Sequence, residues 1–198
     1  MHPPNIYFIW ISISAFSDGM TKDTTKTPKE GSGNKRSGTW IEHRVIGVEV
    51  VCGPINGMFI YTTDNLIAGG ANGMIEVIRQ AQSDLADLLF AKNLNFPEKV
   101  AYQFDNCTAE NKNKTLFGYL ALLVETETFK EVYANFLIVG HTHSSIDQYF
   151  SVLSRKIRMS NFIGTPLSMK DLLQTAHTDV HKQPLIYKDL QVCLLNFG

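Results

Sequence analysis

The sequence predicts an α/β protein in which one mixed sheet of five strands carries helices on both faces. Three observations lead to this prediction. Apolar runs of strand type dominate the first third, later segments repeat apolar residues every three or four positions, and the two kinds of segment then alternate. The predicted order, β-β-β-α-β-α-β-α, favours a mixed sheet with helices packed against it.

The first strand is predicted at Ile6–Phe16, where Ile, Tyr, Phe and Trp are interrupted by Ser12 and Ser14. The same run has the length of a signal peptide, although it is too short to span a bilayer. No Lys or Arg precedes it and no small-x-small cleavage site follows, so a strand is favoured. Cleavage near Ser17 would also remove this strand from the sheet.

The next predicted elements are a loop and two strands. Thr21–Gly38 is polar and rich in Gly and Lys, which indicates a loop. The strand-like runs Arg44–Cys52 and Met58–Thr63 are separated by Gly-Pro-Ile-Asn-Gly, a turn sequence. Together with the first strand they form a predicted meander of three strands.

Helices and strands alternate in the rest of the chain. The clearest helix is Ala71–Leu94, whose apolar residues recur at spacings of three and four. The other predicted elements are the strand Lys99–Phe104, the helix Lys112–Thr128, the strand Val132–Val139, a helix from Ser144 or Ser145, the helix Leu167–Thr175 and a strand at Leu190–Asn196. We expect residues 1–160 to form the core domain and residues 161–198 a C-terminal extension, the fragment of a further helix-strand unit.

Composition limits the function classes. With 198 residues, 44% of them hydrophobic and 19% charged, the chain is a folded domain with a real core. A net charge of −1 gives no overall attraction to nucleic acids or anionic membranes, so such binding must come from local patches. The three cysteines, Cys52, Cys107 and Cys193, are far apart, which argues against disulfides and against a cysteine zinc site and favours an intracellular protein.

Three aspartates lie at the ends of predicted elements. Asp18 follows the first strand, Asp105 follows the fourth, and Asp147 begins the helix after the fifth. The order of elements matches the ribonuclease H-like fold, in which acidic residues at these places converge at one edge of the sheet. Carboxylates from separate elements suit Mg²⁺ or Mn²⁺, so we expect a two-metal site that acts on phosphodiesters.

Each aspartate also has a structural interpretation. Asp18 and Asp105 are of the residue type that forms turns, and Asp147 fits a capping box with Ser144 as the N-cap. The metal site is favoured because all three fall where one fold requires them. Asp64, which ends the third predicted strand, is the alternative metal ligand if Asp18 does not bind the metal.

Further polar residues surround the predicted site. His143 lies four residues before Asp147, where it can orient a phosphate, transfer a proton, or merely close the junction between strand and helix. Lysines, arginines and asparagines near the three acids are the expected contacts to nucleic acid: Lys22, Asn106, Asn111, Lys112, Asn113, Lys114, Arg155 and Lys156. A solvated surface or a turn is the alternative for each of them.

Three motifs carry a resemblance to a known family: Asp18–Met20, Asp105–Asn113 and Val139–Ile157. With them the sequence resembles an uncharacterised eukaryotic family, domain of unknown function 7869, from about Ile11 to Ile157. That family resembles DDE transposases and retroviral-type integrases. The resemblance implies a nuclear nuclease or strand transferase derived from a mobile element, with DNA as its partner and no membrane.

One departure from the family pattern favours a second function. This chain has Thr108-Ala109-Glu110 where the family has Gly-Gly-Gln. Glycines let the backbone approach a phosphate closely, and Glu110 adds negative charge beside the predicted metal ligands. The alternative is therefore an inactive remnant that binds nucleic acid or protein.

Overall fold

The computed structural model describes residues 8–15, 26–27, 29–30, 41–64, 70–104, 111–136, 145–176 and 186–189. Its strands are β1 (Phe8–Ala15), β2 (Lys26–Thr27), β3 (Lys29–Glu30), β4 (Ile41–Cys52), β5 (Ile55–Asp64), β6 (Lys99–Phe104), β7 (Glu131–Phe136), β8 (Phe162–Ile163) and β9 (Ile186–Asp189). Its helices are α1 (Ala71–Ala91), α2 (Lys114–Glu125), α3 (Ser145–Met159) and α4 (Pro166–Ala176). The predicted mixed α/β class is confirmed.

One mixed sheet forms the centre of the structure. Its strands follow the order β7-β6-β1-β4-β5-β9, and β2 pairs with the start of β4. β1 is antiparallel to β4 and parallel to β6, so it has a hydrogen-bonded neighbour on each side. β4 and β5 form an antiparallel hairpin, while β7 and β9 extend the sheet in parallel at its two ends. β3 and β8 form a separate antiparallel pair.

Helices cover both faces of the sheet, because successive side chains of each strand point to opposite faces. Along β4, Val48 and Val50 pack in the larger apolar cluster with residues of α1 and α2. Val45 belongs instead to a second cluster, in which Ile146 of α3 and Met169 of α4 are fully buried. α4 therefore packs against the same sheet as the earlier helices.

The prediction of a five-stranded sheet is wrong, because β2 and β9 also pair with it and give seven strands. Both are short, and their sequences lack the alternation that marks a half-buried strand. β2 and β3 lie inside the predicted loop Thr21–Gly38. The predicted strand Leu190–Asn196 lies outside the described residues.

The two longest predicted helices end earlier than their apolar patterns suggest. α1 stops at Ala91 because Asn93 takes φ 54°, and the amide of Leu94 then donates to the carbonyl oxygen of Leu89 at 2.9 Å. α2 stops at Glu125, and Glu127 takes φ 56°. Glycine usually occupies such positions and asparagine sometimes does, so Asn93 is a weak stop signal for α1, whereas Glu127 gives no signal for the end of α2.

A buried carboxylate joins α1 to one end of the sheet. Asp84 is fully buried, and its Oδ2 accepts a hydrogen bond from the hydroxyl of Tyr61 at 2.9 Å. Its Oδ1 accepts from the side-chain amide of Gln80 at 3.0 Å and forms an ion pair with Lys188 of β9. Burial, together with the charge of Asp84, raises the pKa of Tyr61 far above its usual value.

Gly47 allows α3 to approach the sheet closely. A Cβ atom at this position of β4 would lie 2.5 Å from Cγ2 of Ile146 and 3.3 Å from Cζ of Phe150. Both side chains are buried, so neither can move aside into solvent. A strand glycine of this kind marks a place where another element packs against the backbone.

We expect Asp84→Ala to lower the free energy of unfolding by about 1 to 3 kcal/mol, because it leaves the buried hydroxyl of Tyr61 without its acceptor. Asp87→Ala is the matched control, since Asp87 is an exposed acid on the same helix. Urea denaturation followed by circular dichroism measures both. Equal losses in the two variants would contradict a structural role for Asp84.

We expect Gly47→Ala to lower the free energy of unfolding by about 1 to 3 kcal/mol, because the added methyl group overpacks the contact with α3. Gly118→Ala should instead raise it by about 1 kcal/mol, since alanine favours a helix interior. A Cβ at Gly118 would meet no atom within 4 Å. The same denaturation experiment gives both values, and destabilisation by both variants would show that the effect is not specific to α3.

Candidate functional site

The carboxyl ends of β1 and β6 lie side by side at one edge of the sheet. The two strands are adjacent and parallel, and Ile13 is the partner of Phe104, the last residue of β6. Neighbouring strands are about 4.8 Å apart. β5 runs in the same direction as β1, since both are antiparallel to β4, and its last residue, Asp64, extends this edge five register positions beyond the level of Ile13 and Phe104. We call this edge the carboxyl edge.

The first turn of α3 lies at the carboxyl edge as well. Ile146 packs over Gly47, and Gly47 is the register partner of Ser14, one residue before β1 ends. Asp147 follows Ile146 within the same turn of α3. The structure thus brings the ends of two strands and the start of one helix together, although they are separated by long stretches of sequence.

The predicted acids can be located only in part. Asp18 lies outside the described residues, three positions after β1 ends, and Asp105 lies outside them directly after β6. The backbone of Asp147 is described, while its side chain is not. His143, Lys22 and Asn106 also lie outside the described residues. Their roles remain predictions.

The described side chains include no cluster of metal ligands and one buried cysteine. Within the described part of the chain, no three His, Cys, Asp or Glu residues could hold a metal ion together. Cys52 is a free and buried cysteine, and burial raises the pKa of its thiol to about 11. A thiol with that pKa is protonated at neutral pH, so Cys52 is not a nucleophile.

Three of the predicted nucleic-acid contacts lie just before α2, and their surroundings differ. Asn113 is the N-cap of α2, and its Oδ1 accepts a hydrogen bond from the amide of Leu116 at 2.9 Å. Asn111 is buried. Lys112 is exposed and its Nζ lies 4.9 Å from the ring centroid of Phe136. The capping interpretation therefore holds for Asn113, whereas Lys112 is directed towards an aromatic surface.

The basic residues of α3 are farther from the carboxyl edge. Arg155 is exposed and Lys156 is half-buried, and both belong to the second half of the helix. Arg155 follows Ile146 by nine residues, which corresponds to about 14 Å along the helix axis. A nucleic acid that reaches both Arg155 and the carboxyl edge must therefore extend along α3.

Sequence analysis missed an aromatic cluster at the carboxyl edge. The rings of Phe104 and Phe136 are 5.8 Å apart, and that of Phe117 lies 6.0 Å from Phe136 in an edge-to-face arrangement of 68°. Phe117 is 44% exposed. One signal was available, since Phe117 falls outside the buried helix positions Leu116 and Leu120.

A hydrogen-bond chain holds β6 against both helices on its face. The side-chain amide of Gln82 on α1 donates to the hydroxyl of Tyr102 on β6, and the Tyr119 hydroxyl of α2 donates to Oε1 of Gln82 at 3.4 Å. Burial raises the pKa of Tyr102 well above its usual value. The strand that ends beside Asp105 is thus fixed by polar contacts as well as by packing.

We expect Asn113→Ala to lower the free energy of unfolding by about 1 kcal/mol, because the first turn of α2 loses its side-chain cap. Asn113→Asp retains an acceptor and should keep the stability of the wild type. Thermal or urea denaturation measures both variants. A stable Asn113→Ala protein with weakened nucleic-acid binding would instead support the contact role predicted from the sequence.

Within the described residues, no helix has both the length and the apolar character needed to cross a membrane. Comparison with protein families matches residues 34–193 to a domain of unknown function, DUF7869. Comparisons with curated proteins and with solved structures gave no match.

The matched range differs from the resemblance expected between Ile11 and Ile157. It begins after β1 and after Asp18, and it continues through α4 and β9. The description of the matched family names no transposase or integrase. It covers most of the 198 residues, and the chain therefore belongs to the DUF7869 family.

Proposed function

We propose that this chain is a DDE-type nuclease or strand-transferase core, derived from a mobile element, that acts on nucleic-acid phosphodiesters with Mg²⁺ or Mn²⁺. The observation that carries the proposal is the meeting of three chain positions at the carboxyl edge. These are the end of β1, the end of β6 and the first turn of α3. Asp18, Asp105 and Asp147 follow or occupy them.

The strand order supports a ribonuclease H-like core as part of this proposal. The five strands predicted from the sequence are neighbours in the sheet, in the order β7-β6-β1-β4-β5. The antiparallel meander lies on one side of β1, and the parallel strands lie on the other. β2 and β9 are then additions to this core.

The donor set fits a hard divalent cation. Asp18, Asp105 and Asp147 would hold it with carboxylate oxygens from three separate elements, the ligand type that Mg²⁺ and Mn²⁺ prefer. When bound, such ions activate an attacking water or hydroxyl and stabilise the leaving oxygen. Asp64 is the alternative to Asp18, because it ends β5 at the same edge and lies within the range matched to the family.

The chain's own residues would position the substrate. Lys112 and Lys114 are exposed beside the end of β6, where they can hold phosphate groups. His143 precedes α3 in the chain and is suited to a proton transfer near neutral pH. A nuclear protein that acts on DNA is the form of this proposal that the resemblance favours.

A second candidate is a catalytically inactive remnant that binds nucleic acid or protein. Thr108-Ala109-Glu110 favours it, because this chain lacks the glycines and carries an extra acid close to Asp105. Two neighbouring carboxylates disfavour each other's ionisation unless a cation lies between them. The two candidates differ in metal binding and in cleavage, which separate experiments can measure.

We expect isothermal titration to show Mn²⁺ binding by the wild type and at least tenfold weaker binding by Asp105→Asn and Asp147→Asn. These changes remove a charged oxygen ligand and preserve side-chain shape. Asp87→Asn on α1 is the control, since its carboxylate is exposed and lies on another element. Circular dichroism must show that all four proteins are folded.

Equal Mn²⁺ binding by the wild type and Asp105→Asn would contradict the proposed metal site. A Mg²⁺-dependent cleavage assay on labelled single- and double-stranded DNA then separates the two candidates. Cleavage that is lost in Asp105→Asn supports the nuclease. Metal binding without cleavage by the wild type supports the remnant.

A further inference from the structure

The aromatic cluster at the carboxyl edge exposes one ring in a fixed orientation. Phe117 is 44% exposed, and its edge-to-face contact with Phe136 orients the ring. Phe136 is held in turn by Phe104 at 5.8 Å, its register partner on β6. A ring that is exposed and also held by its neighbours can accept a flat ligand with little loss of side-chain entropy.

Two lysines belong to the same part of the structure as this ring. The ammonium group of Lys112 lies 4.9 Å from the centroid of Phe136, and Lys114 is exposed at the start of α2. The first turn of α2, all of which is described, contains no acidic residue. We call Lys112, Lys114, Phe117 and Phe136 the stacking surface.

The chemistry of the stacking surface matches single strands of nucleic acid. Every base has a π-face that can stack on an aromatic ring, and every nucleotide carries an anionic phosphate for a lysine. In a duplex the faces of the bases are already stacked on each other. An exposed ring with lysines beside it therefore selects unpaired nucleotides.

The distribution of charge along α2 argues against a purely apolar partner. Val124 is also exposed, and because it follows Phe117 by seven residues, the apolar face continues beyond Phe117 towards the end of the helix. The described last turn of α2 contains no basic residue. A second copy of this chain docking on α2 would use the whole apolar face, whereas a nucleic acid uses the end that combines a ring with lysines.

The stacking surface is also close to the proposed catalytic edge. Phe104 is both the last residue of β6 and the inner ring of the cluster, and Asp105 follows it directly in the chain. A base stacked on Phe117 would thus belong to a nucleotide near the phosphodiester that the carboxyl edge acts on. This step rests on the proposed function.

We propose that the stacking surface binds an unpaired nucleotide of single-stranded DNA or RNA, with Phe117 against the base and Lys112 and Lys114 against the phosphates. Fluorescence anisotropy with labelled oligo(dT) and oligo(U) tests this proposal, and the two oligonucleotides distinguish DNA from RNA. EDTA is present throughout, so that the result does not depend on the metal site.

Phe117→Ala should weaken binding about tenfold, because the base loses its stacking partner. Phe117→Tyr keeps the ring and should bind like the wild type, while Phe117→Leu keeps an apolar helix residue and should bind as weakly as Phe117→Ala. Phe90→Ala is the matched control, since Phe90 is 85% exposed at the end of α1. Lys112→Gln should reduce the salt dependence of log K by a slope of roughly 0.7.

Equal binding by Phe117→Ala and Phe90→Ala would overturn the proposal, and so would the absence of binding to either oligonucleotide. Light scattering adds a third outcome. A wild-type dimer that dissociates in Phe117→Ala, with oligonucleotide binding unchanged, would identify the surface as a contact between copies. Failure of the catalytic proposal would appear in the Mn²⁺ titration instead, and it would leave stacking in EDTA unaffected.

Discussion

The parallel pairing of β1 with β6 is the constraint on which the rest of the structure depends. A parallel neighbour cannot follow through a tight turn, so the chain must leave β1, build other elements and return. Here the detour includes the short strands β2 and β3, the β4-β5 hairpin and α1. Its result is that Ile13 and Phe104, far apart in sequence, are partners at the same edge. Every function proposed for this edge requires that pairing.

α1 secures the geometry that this pairing creates. It packs against the sheet through a continuous apolar stripe, and two of its polar side chains also contact neighbouring elements. Asp84 connects the helix to β5 and β9, while Gln82 connects it to β6 and α2. Because buried polar groups are costly without partners, these contacts favour a single packing of the helix over a range of similar ones.

The fold could be predicted where local pattern and final environment agree. Lys99–Phe104 was predicted to the residue, because its mostly apolar run begins at Lys99 and is followed in the sequence by Asp105. The end of α2 could not be predicted, since Glu127 adopts a backbone conformation usual for glycine, and Asn93 gave only a weak stop signal for α1. β9 escaped prediction because distant partners fix its place, among them Asp84 through Lys188.

The candidate site, like the fold, could be predicted from the sequence only in part. The acids were proposed because they follow or lie near the start of predicted elements, a property that sequence pattern reports directly, and their metal-binding role stays a prediction. The position of Phe117 outside the apolar stripe of α2 indicated exposure, but it did not indicate a cluster. The contact of Phe117 with Phe136 depends on how α2 packs against β7, which no local pattern contains.

The ion pair between Asp84 and Lys188 has a consequence for synthesis of the chain on the ribosome. Its two residues are 104 positions apart, so the carboxylate is made long before its cation. At ordinary rates of translation the interval is about 5 to 20 s. During that time α1 can form, but Asp84, whose carboxylate α1 buries against the sheet, still lacks its partner Lys188. Final docking of α1 is therefore expected late, when β9 emerges and pairs with β5 at the edge of the sheet.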